Sequence, residues 1–340
     1  MITRAAILVE SGHPLVVDEI AVPALQAGQV LVEIHYSTIC GAQLNEIDAV
    51  KGPDKFLPHL LGHEASGHVK DVGPGVTHAK RGDTVVMHWR PSQGIQARPA
   101  GYEWKSGDLN PQRVNAGWVT TFQDRAIVSE NRLTVIPPDT DLKTACLLGC
   151  AATTAMGIVN NDAKVKVGES VVVFGVGGVG LNVVQFAAAA GAYPIVAVDV
   201  DEAKLMLALK YGATYAMDGV LTRGPPAVLY DKVIETTGLK SVIELAYEIT
   251  HSKGTCVLVG VPKEPVLIYT LPLHLGKTLT GSEGGGARPH IDIPRILKLV
   301  KAGKISFDGQ ITHEFPWEKI NDAIEVMRSG KCGRVLIEMG

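Results

Sequence analysis

The chain has 340 residues, 46% of them hydrophobic, and a formal net charge of −3. That length allows two domains of about 150 residues each, and scattered Lys and Arg at so small a net charge exclude a basic nucleic-acid surface. No stretch is apolar enough to span a bilayer, the N-terminal apolar run is too short for a secretory signal, and five unevenly spaced cysteines do not make a disulfide framework, so a cytoplasmic protein without nucleic-acid or membrane partners is expected.

Up to about Pro138 the pattern is β-rich. Strand-like runs cover residues 5–9, 29–36, 67–72, 84–88 and 121–128, separated by turns such as Gly73-Pro74-Gly75 and Arg81-Gly82-Asp83. Residues 91–112 mix Gly, Pro, Ser, Tyr, Trp and charge without a period, which predicts a long surface loop. From Leu142 the pattern alternates. A helix is expected over 142–159, with Cys150 inside it, then helices over 201–211 and 241–250 and strands over 232–234, 255–259 and 278–281. Strands alternating with helices predict an α/β fold with a doubly wound parallel sheet. Helices over 293–302 and 317–329 and a strand over 334–338 are too many to extend that sheet. The expected division is therefore 1–150, with 288–340 returning to it, and a nucleotide-binding domain over 151–287.

The most informative stretch runs from Val171 to Asp199. A β-branched strand leads into Gly175-Val176-Gly177-Gly178-Val179-Gly180, then an alanine-rich helix, then a second strand ending at Asp199. Gly175 permits the tight turn, Gly177 lets backbone approach a pyrophosphate, and Gly180 lets the helix pack on the strand. Gly178 and Val179 complete the turn into a helix expected over 181–190, and the free N–H groups at the helix start meet phosphate charge. Asp199, nineteen residues past Gly180, is placed to accept from a ribose 2′-OH, which favours NAD over NADP.

Two thiolates and an imidazole suit a four-coordinate zinc with one open position, and Cys40, His63 and Cys150 could form that set. They lie far apart in sequence, and each could equally be a buried Cys or a hydrogen-bonded His. Cys146, Cys256 and Cys332 lie in apolar runs or a turn and are expected to be buried and inert.

The order Cys40, Gly62-His63-Glu64, Gly82-Asp83, Gly149-Cys150, then the glycine-rich turn, resembles the medium-chain zinc-dependent alcohol dehydrogenases along nearly the whole chain. Val259-Gly260-Val261-Pro262 and Gly333-Arg334-Val335 add to the likeness. The resemblance implies a Rossmann domain plus a β-rich, chaperonin-10-like catalytic domain. It implies hydride transfer between an alcohol and NAD, with one catalytic zinc on Cys40, His63 and Cys150 and with Glu64 behind the metal as an alternate ligand. It further implies Thr154, Val259 and Val261 against the nicotinamide, Asp199 and Lys204 at the adenosine ribose, Arg334 at the pyrophosphate and Trp89 in the substrate pocket. Relatives of this kind assemble as homodimers or homotetramers.

Three departures stand out. The 91–112 loop holds none of the four cysteines that carry a structural zinc in many relatives. Ala42 and Asn45 replace the usual proton-relay residues, which leaves a water in the space at Ala42, a hydroxyl of the substrate or Glu46 as the proton route, and Gln43 replaces the acid that orients the zinc-ligand histidine. His88, Trp89, Asn45 and Glu46 would suit a polyol or sugar derivative. The rival readings are a zinc-free quinone or enone reductase of the same superfamily and a non-catalytic nucleotide-binding relative.

Overall fold

The computed structural model describes residues 1–105, 112–219 and 228–340. The chain divides into two compact units, one made of 1–150, 288–294 and 310–340, the other of 151–287 and 295–309. Among the described residues no single helix is long and apolar enough to cross a membrane.

The first unit holds a closed barrel in the strand order Ile2–Leu8, Val16–Ala21, Gly101–Trp104, Gln112–Asn115, His59–Leu60. Beside it lies a larger sheet in the order Leu133–Val135, Thr84–Met87, Ala65–Val72, Gln29–Ile39, Arg334–Glu338, Ile311–Pro316, with Arg125–Ser129 also paired to Gln29–Ile39. The strand Gln29–Ile39 is buried on both faces. Val30, Val32 and Ile34 join a core that includes Val335, Ile337 and Trp317, while Leu31 turns to a second core with Ile20, Tyr102 and Val114. That two-sided burial explains its near-continuous apolar run.

Two sequence expectations are corrected here. Residues 91–112 are not one long loop, since Gly101–Trp104 is a strand paired with Val16–Ala21 and Gln112–Asn115. Its signal is alternation: Tyr102 and Trp104 face the barrel core and Glu103 faces out, over a run too short to stand out among turn residues. The helix expected over 142–159 is broken. A turn of α-helix, Leu142–Ala145, passes into the 3₁₀ turn Cys146–Gly149. Cys150 then adopts φ −141°, ψ −72° before the helix Ala151–Gly157 begins. Cys150 therefore sits at the break and not within a helix.

The second unit carries a parallel sheet in the order Tyr215–Asp218, Ile195–Asp199, Val171–Phe174, Tyr230–Glu235, Thr250–Leu258, Thr278–Gly281. The strand order reverses between Val171–Phe174 and Tyr230–Glu235. In an open α/β sheet that reversal opens a crevice at the carboxyl ends of the strands, where ligands bind.

Candidate metal and nucleotide sites

Cys40 leaves the buried strand Gln29–Ile39 in extended conformation and caps the short helix Gly41–Ile47. His63 follows Gly62, whose φ is +90° and where a Cβ would lie 2.2 Å from Thr121 Oγ1. Only glycine fits that turn, and it swings His63 inward. Cys150 follows Gly149, where a Cβ would lie 2.3 Å from the Met87 carbonyl and 2.7 Å from Glu64 Cβ. Glycine there lets the Cys150 segment close onto the strand ends that carry His63 and Glu64.

These folds bring the ligand atoms of Cys40, His63 and Cys150 within 4.8 Å of one another. A tetrahedral zinc with Zn–S of about 2.3 Å and Zn–N of about 2.0–2.1 Å needs donors roughly 3.5–3.8 Å apart, so a small closure completes the shell. His63 Nε2 is buried without a hydrogen-bond partner, while Nδ1 lies 2.5 Å from Gln43 Nε2. The free nitrogen is thus the one left to a metal. Hydrogen bonding from Cys150 holds the Cys40 thiol well below its ordinary range, against the effect of burial, and His63 adds to it. Thiolate character is what a zinc ligand needs.

Behind the ligands Glu64 is fully buried. Its Oε1 accepts from Thr38 Oγ1 at 2.5 Å and from Arg334 Nη2, while Oε2 is buried without a partner. Arg334 Nη2 also reaches Thr38 Oγ1 at 2.5 Å, and its Nε is buried without a partner. Thr38 was not singled out from the sequence. A threonine in a strand carries no motif, and its role appears only when the strands pair.

Glu46, one turn further along the helix that Cys40 caps, keeps contact with solvent. The surrounding protein nevertheless pushes its carboxyl above the ordinary range, with His59 and His63 opposing and Asp54 reinforcing the shift. His59 bonds Asp54 Oδ2 at 2.7 Å through Nε2 and the Leu60 carbonyl at 3.0 Å through Nδ1. This His59–Asp54 pair was also missed in the sequence, where a lone His before an apolar run has no distinguishing neighbour. His88 is not a pocket residue. It is fully buried, bonds the Arg90 carbonyl at 2.8 Å and Thr134 Oγ1 at 2.9 Å, and burial lowers its pKa to about 4.

In the second unit, Gly175 has φ +79°, and a Cβ there would strike Thr236 Oγ1 at 2.6 Å. A Cβ on Gly180 would lie 1.9 Å from the Gly175 carbonyl, so the helix Gly178–Ala189 packs directly on its own entry turn. At Gly177 a Cβ would meet no protein atom within 4 Å, which is the open approach that a pyrophosphate requires. The Asp199 carboxylate accepts from the N–H groups of Val176 at 2.8 Å, Val200 at 2.8 Å and Asp201 at 3.1 Å. It ties the turn to the second strand and still has acceptor sites left. Lys204 lies 3.8 Å from Asp201. Thr154 is buried in the helix Ala151–Gly157, the Val259 N–H bonds the Glu235 carbonyl at 2.7 Å, and Val261 is 71% exposed. Glu235, at the end of its strand in the crevice, accepts from the N–H groups of Thr237 at 2.6 Å and Gly238 at 3.0 Å, while burial raises its pKa.

A Cys₂His cluster in a β-rich unit and a glycine-rich turn in a doubly wound unit define the class of zinc-dependent dehydrogenases. Comparisons with known proteins agree. Residues 26–138 match the alcohol dehydrogenase GroES-like domain and residues 178–302 the zinc-binding dehydrogenase domain. An alcohol dehydrogenase class-3 of Cereibacter sphaeroides is 32% identical, covering 99% of this chain and 100% of that protein. An S-(hydroxymethyl)glutathione dehydrogenase of Paracoccus denitrificans is also 32% identical, with the same coverage. The structure of an alcohol dehydrogenase zinc-binding domain protein from Burkholderia ambifaria superposes with a TM-score of 0.91 at 27% identity, over 100% of this chain and 99% of that one. Benzyl alcohol dehydrogenase from Acinetobacter calcoaceticus gives 0.88 at 25% identity over all of both chains. The chain belongs to the medium-chain zinc-dependent alcohol dehydrogenase family and is an oxidoreductase of that kind.

Proposed function

We propose that this chain interconverts an alcohol and its carbonyl compound with NAD as hydride acceptor, using one zinc per chain held by Cys40, His63 and Cys150. The observation that carries the reading is the free, buried His63 Nε2 grouped with two thiols, its other nitrogen engaged by Gln43. Zinc bound there supplies a Lewis acid that lowers the pKa of a substrate hydroxyl. The chain's own residues do the rest. Arg334 and Thr38 orient Glu64, so the geometry supports Arg334 first as the partner of that carboxylate. Asp199 would accept from the ribose 2′-OH and repel a 2′-phosphate, with Lys204 beside it, while Thr154, Val259 and Val261 would flank the nicotinamide. Glu46, with His59 and Asp54 near it, is the assigned exit for the substrate proton in place of the hydroxyl that Ala42 lacks. None of the five cysteines forms a disulfide, and thiol ligands suit a reducing compartment such as the cytoplasm. Assembly with a second copy is assigned to the open edge strand Thr278–Gly281, near which Leu267, Tyr269, Leu271 and Leu275 are exposed.

The test combines metal analysis with NAD reduction on a panel of alcohols. Wild type should carry about one zinc equivalent and Cys150→Ser much less, with turnover lost in parallel. Glu46→Gln should retain its zinc and lose about 10²-fold or more in kcat. Full activity in zinc-depleted Cys150→Ser would overturn the metal assignment. Unchanged kcat in Glu46→Gln would overturn the proton route alone.

A further inference from the structure

One buried cation, Arg132, forms no ion pair among the described residues. The strand Thr84–Met87 pairs Met87 with Ala65, two residues past His63, and the Met87 carbonyl packs against Gly149 beside Cys150. The chain continues from this wall through Trp89, Arg90 and Ser92 alongside Asn131 and Arg132. The His88 N–H donates to the Arg132 carbonyl at 3.0 Å, and the Ser92 N–H to the Asn131 carbonyl at 2.8 Å.

Arg132 is 7% exposed. Its guanidinium lies over the Trp118 ring at 5.0 Å, and Nη1 donates to the Trp89 carbonyl. Nε is buried and has no hydrogen-bond partner. Among the described residues no carboxylate forms an ion pair with Arg132. Burial disfavours the charge on Arg132, and Arg90, stacked on Trp89 at 5.4 Å, adds positive charge close by to the same effect. On the paired segment, Ser92 Oγ is a second buried polar group without a partner. A tryptophan face offsets only part of the cost of burying a cation, and that cost is large when no counter-ion accompanies it. What this group lacks is an anionic acceptor.

We infer that Arg132, with Ser92 on the segment paired to it, recognises an anionic oxygen group, a carboxylate or a phosphate, carried on the alcohol substrate. This rests on the dehydrogenase reading above. A guanidinium takes such a group in a fork of two N–H donors, and Trp89 and Trp118 provide the apolar cover that keeps the pair dry.

The experiment compares kcat/KM for three alcohols of equal chain length: a neutral diol, an ω-hydroxycarboxylate and the phosphate monoester of the diol. Wild type should favour one of the anionic compounds, and which one identifies the group. In Arg132→Gln the anionic-over-neutral ratio should fall about 10- to 100-fold, as expected for a charged hydrogen bond worth about 1.5–3 kcal/mol, with the loss mainly in KM. Arg132→Lys should recover part of the ratio. Ser92→Ala, a smaller change that keeps the arginine, should lower it several-fold. A wild type that favours the neutral diol, or a ratio unmoved in both Arg132→Gln and Ser92→Ala, overturns the inference while leaving the dehydrogenase reading intact. Absence of turnover on every alcohol would bring down the dehydrogenase reading and this inference with it.

Discussion

Gln43 answers to two groups at once. Its Oε1 accepts from the Cys40 N–H at 2.9 Å, and its Nε2 donates to His63 Nδ1 at 2.5 Å. A neutral imidazole ligating through Nε2 carries its proton on Nδ1 and then needs an acceptor there. To provide one the amide must turn over, which points its NH₂ at the Cys40 N–H. A carboxylate would satisfy both donors in one orientation. Gln43→Glu should therefore bind zinc about 10- to 100-fold more tightly, the usual scale of such an outer partner, measured by competition with a chelator. Equal affinity in the two proteins would show that the amide costs the site nothing. At this scale the sequence was informative where a residue's chemistry is local. The glycine-rich turn was legible because Gly175, Gly177 and Gly180 form a pattern within one short run, although only Gly180 answers a contact inside that run, the Gly175 carbonyl. Cys40, His63 and Cys150 became a set only through resemblance to a family, since nothing local links residues so far apart.

At the scale of elements, a carboxylate pins the part of the chain that lacks the four cysteines of many relatives. Glu130 is fully buried at the start of the 3₁₀ turn Glu130–Arg132. Its Oε1 accepts from the N–H groups of Thr77 at 2.7 Å and His78 at 2.8 Å, and its Oε2 from that of Ile95 at 2.7 Å. Burial pushes the carboxyl up, but the bonds from Ile95, Thr77 and His78 together hold it below the usual 4.5. A depressed folded pKa gives stability that is complete above the ordinary carboxylate value and is lost as pH falls through the folded one. Glu130→Gln should cost about 2–4 kcal/mol, read from urea unfolding at neutral pH, and the gap to wild type should narrow well below pH 4.5. A variant as stable as wild type at pH 7 would show that these bonds contribute little. Neither this staple nor the strand Gly101–Trp104 was legible beforehand. An acid in a helical turn carries no mark of three distant N–H groups, and two alternating aromatics are too short a period to outweigh the turn residues around them.

For the whole molecule, the doubly wound sheet was legible because its strands and helices alternate over short stretches of sequence, although its edge strand Tyr215–Asp218, four mostly exposed residues, was not foreseen. The β-rich unit was legible only as a set of short strands, because its order is set by pairings between segments distant in sequence, the farthest joining Tyr36 to Glu338. The proposed assembly rests on an edge. Leu267 is 82% exposed and Tyr269 71%, close to the outermost strand Thr278–Gly281, and an uncovered apolar edge is an invitation to pair. Sedimentation should find at least a dimer, and Leu267→Glu with Tyr269→Glu should shift it toward monomer. A wild-type monomer at micromolar concentration would rule out assembly through this edge.

The strand Arg334–Glu338 lies inside its sheet, between Gln29–Ile39 and Ile311–Pro316. During translation its partner Gln29–Ile39 waits almost 300 residues for it, roughly 15–60 s at about 5–20 residues per second. All six strands of the nucleotide unit emerge within that interval. The nascent chain thus holds every strand of the nucleotide unit while the metal-binding unit is still missing an interior strand. Lesions in the last strand should therefore show first as loss of soluble yield from the ribosome, before any change in the behaviour of molecules that finish folding.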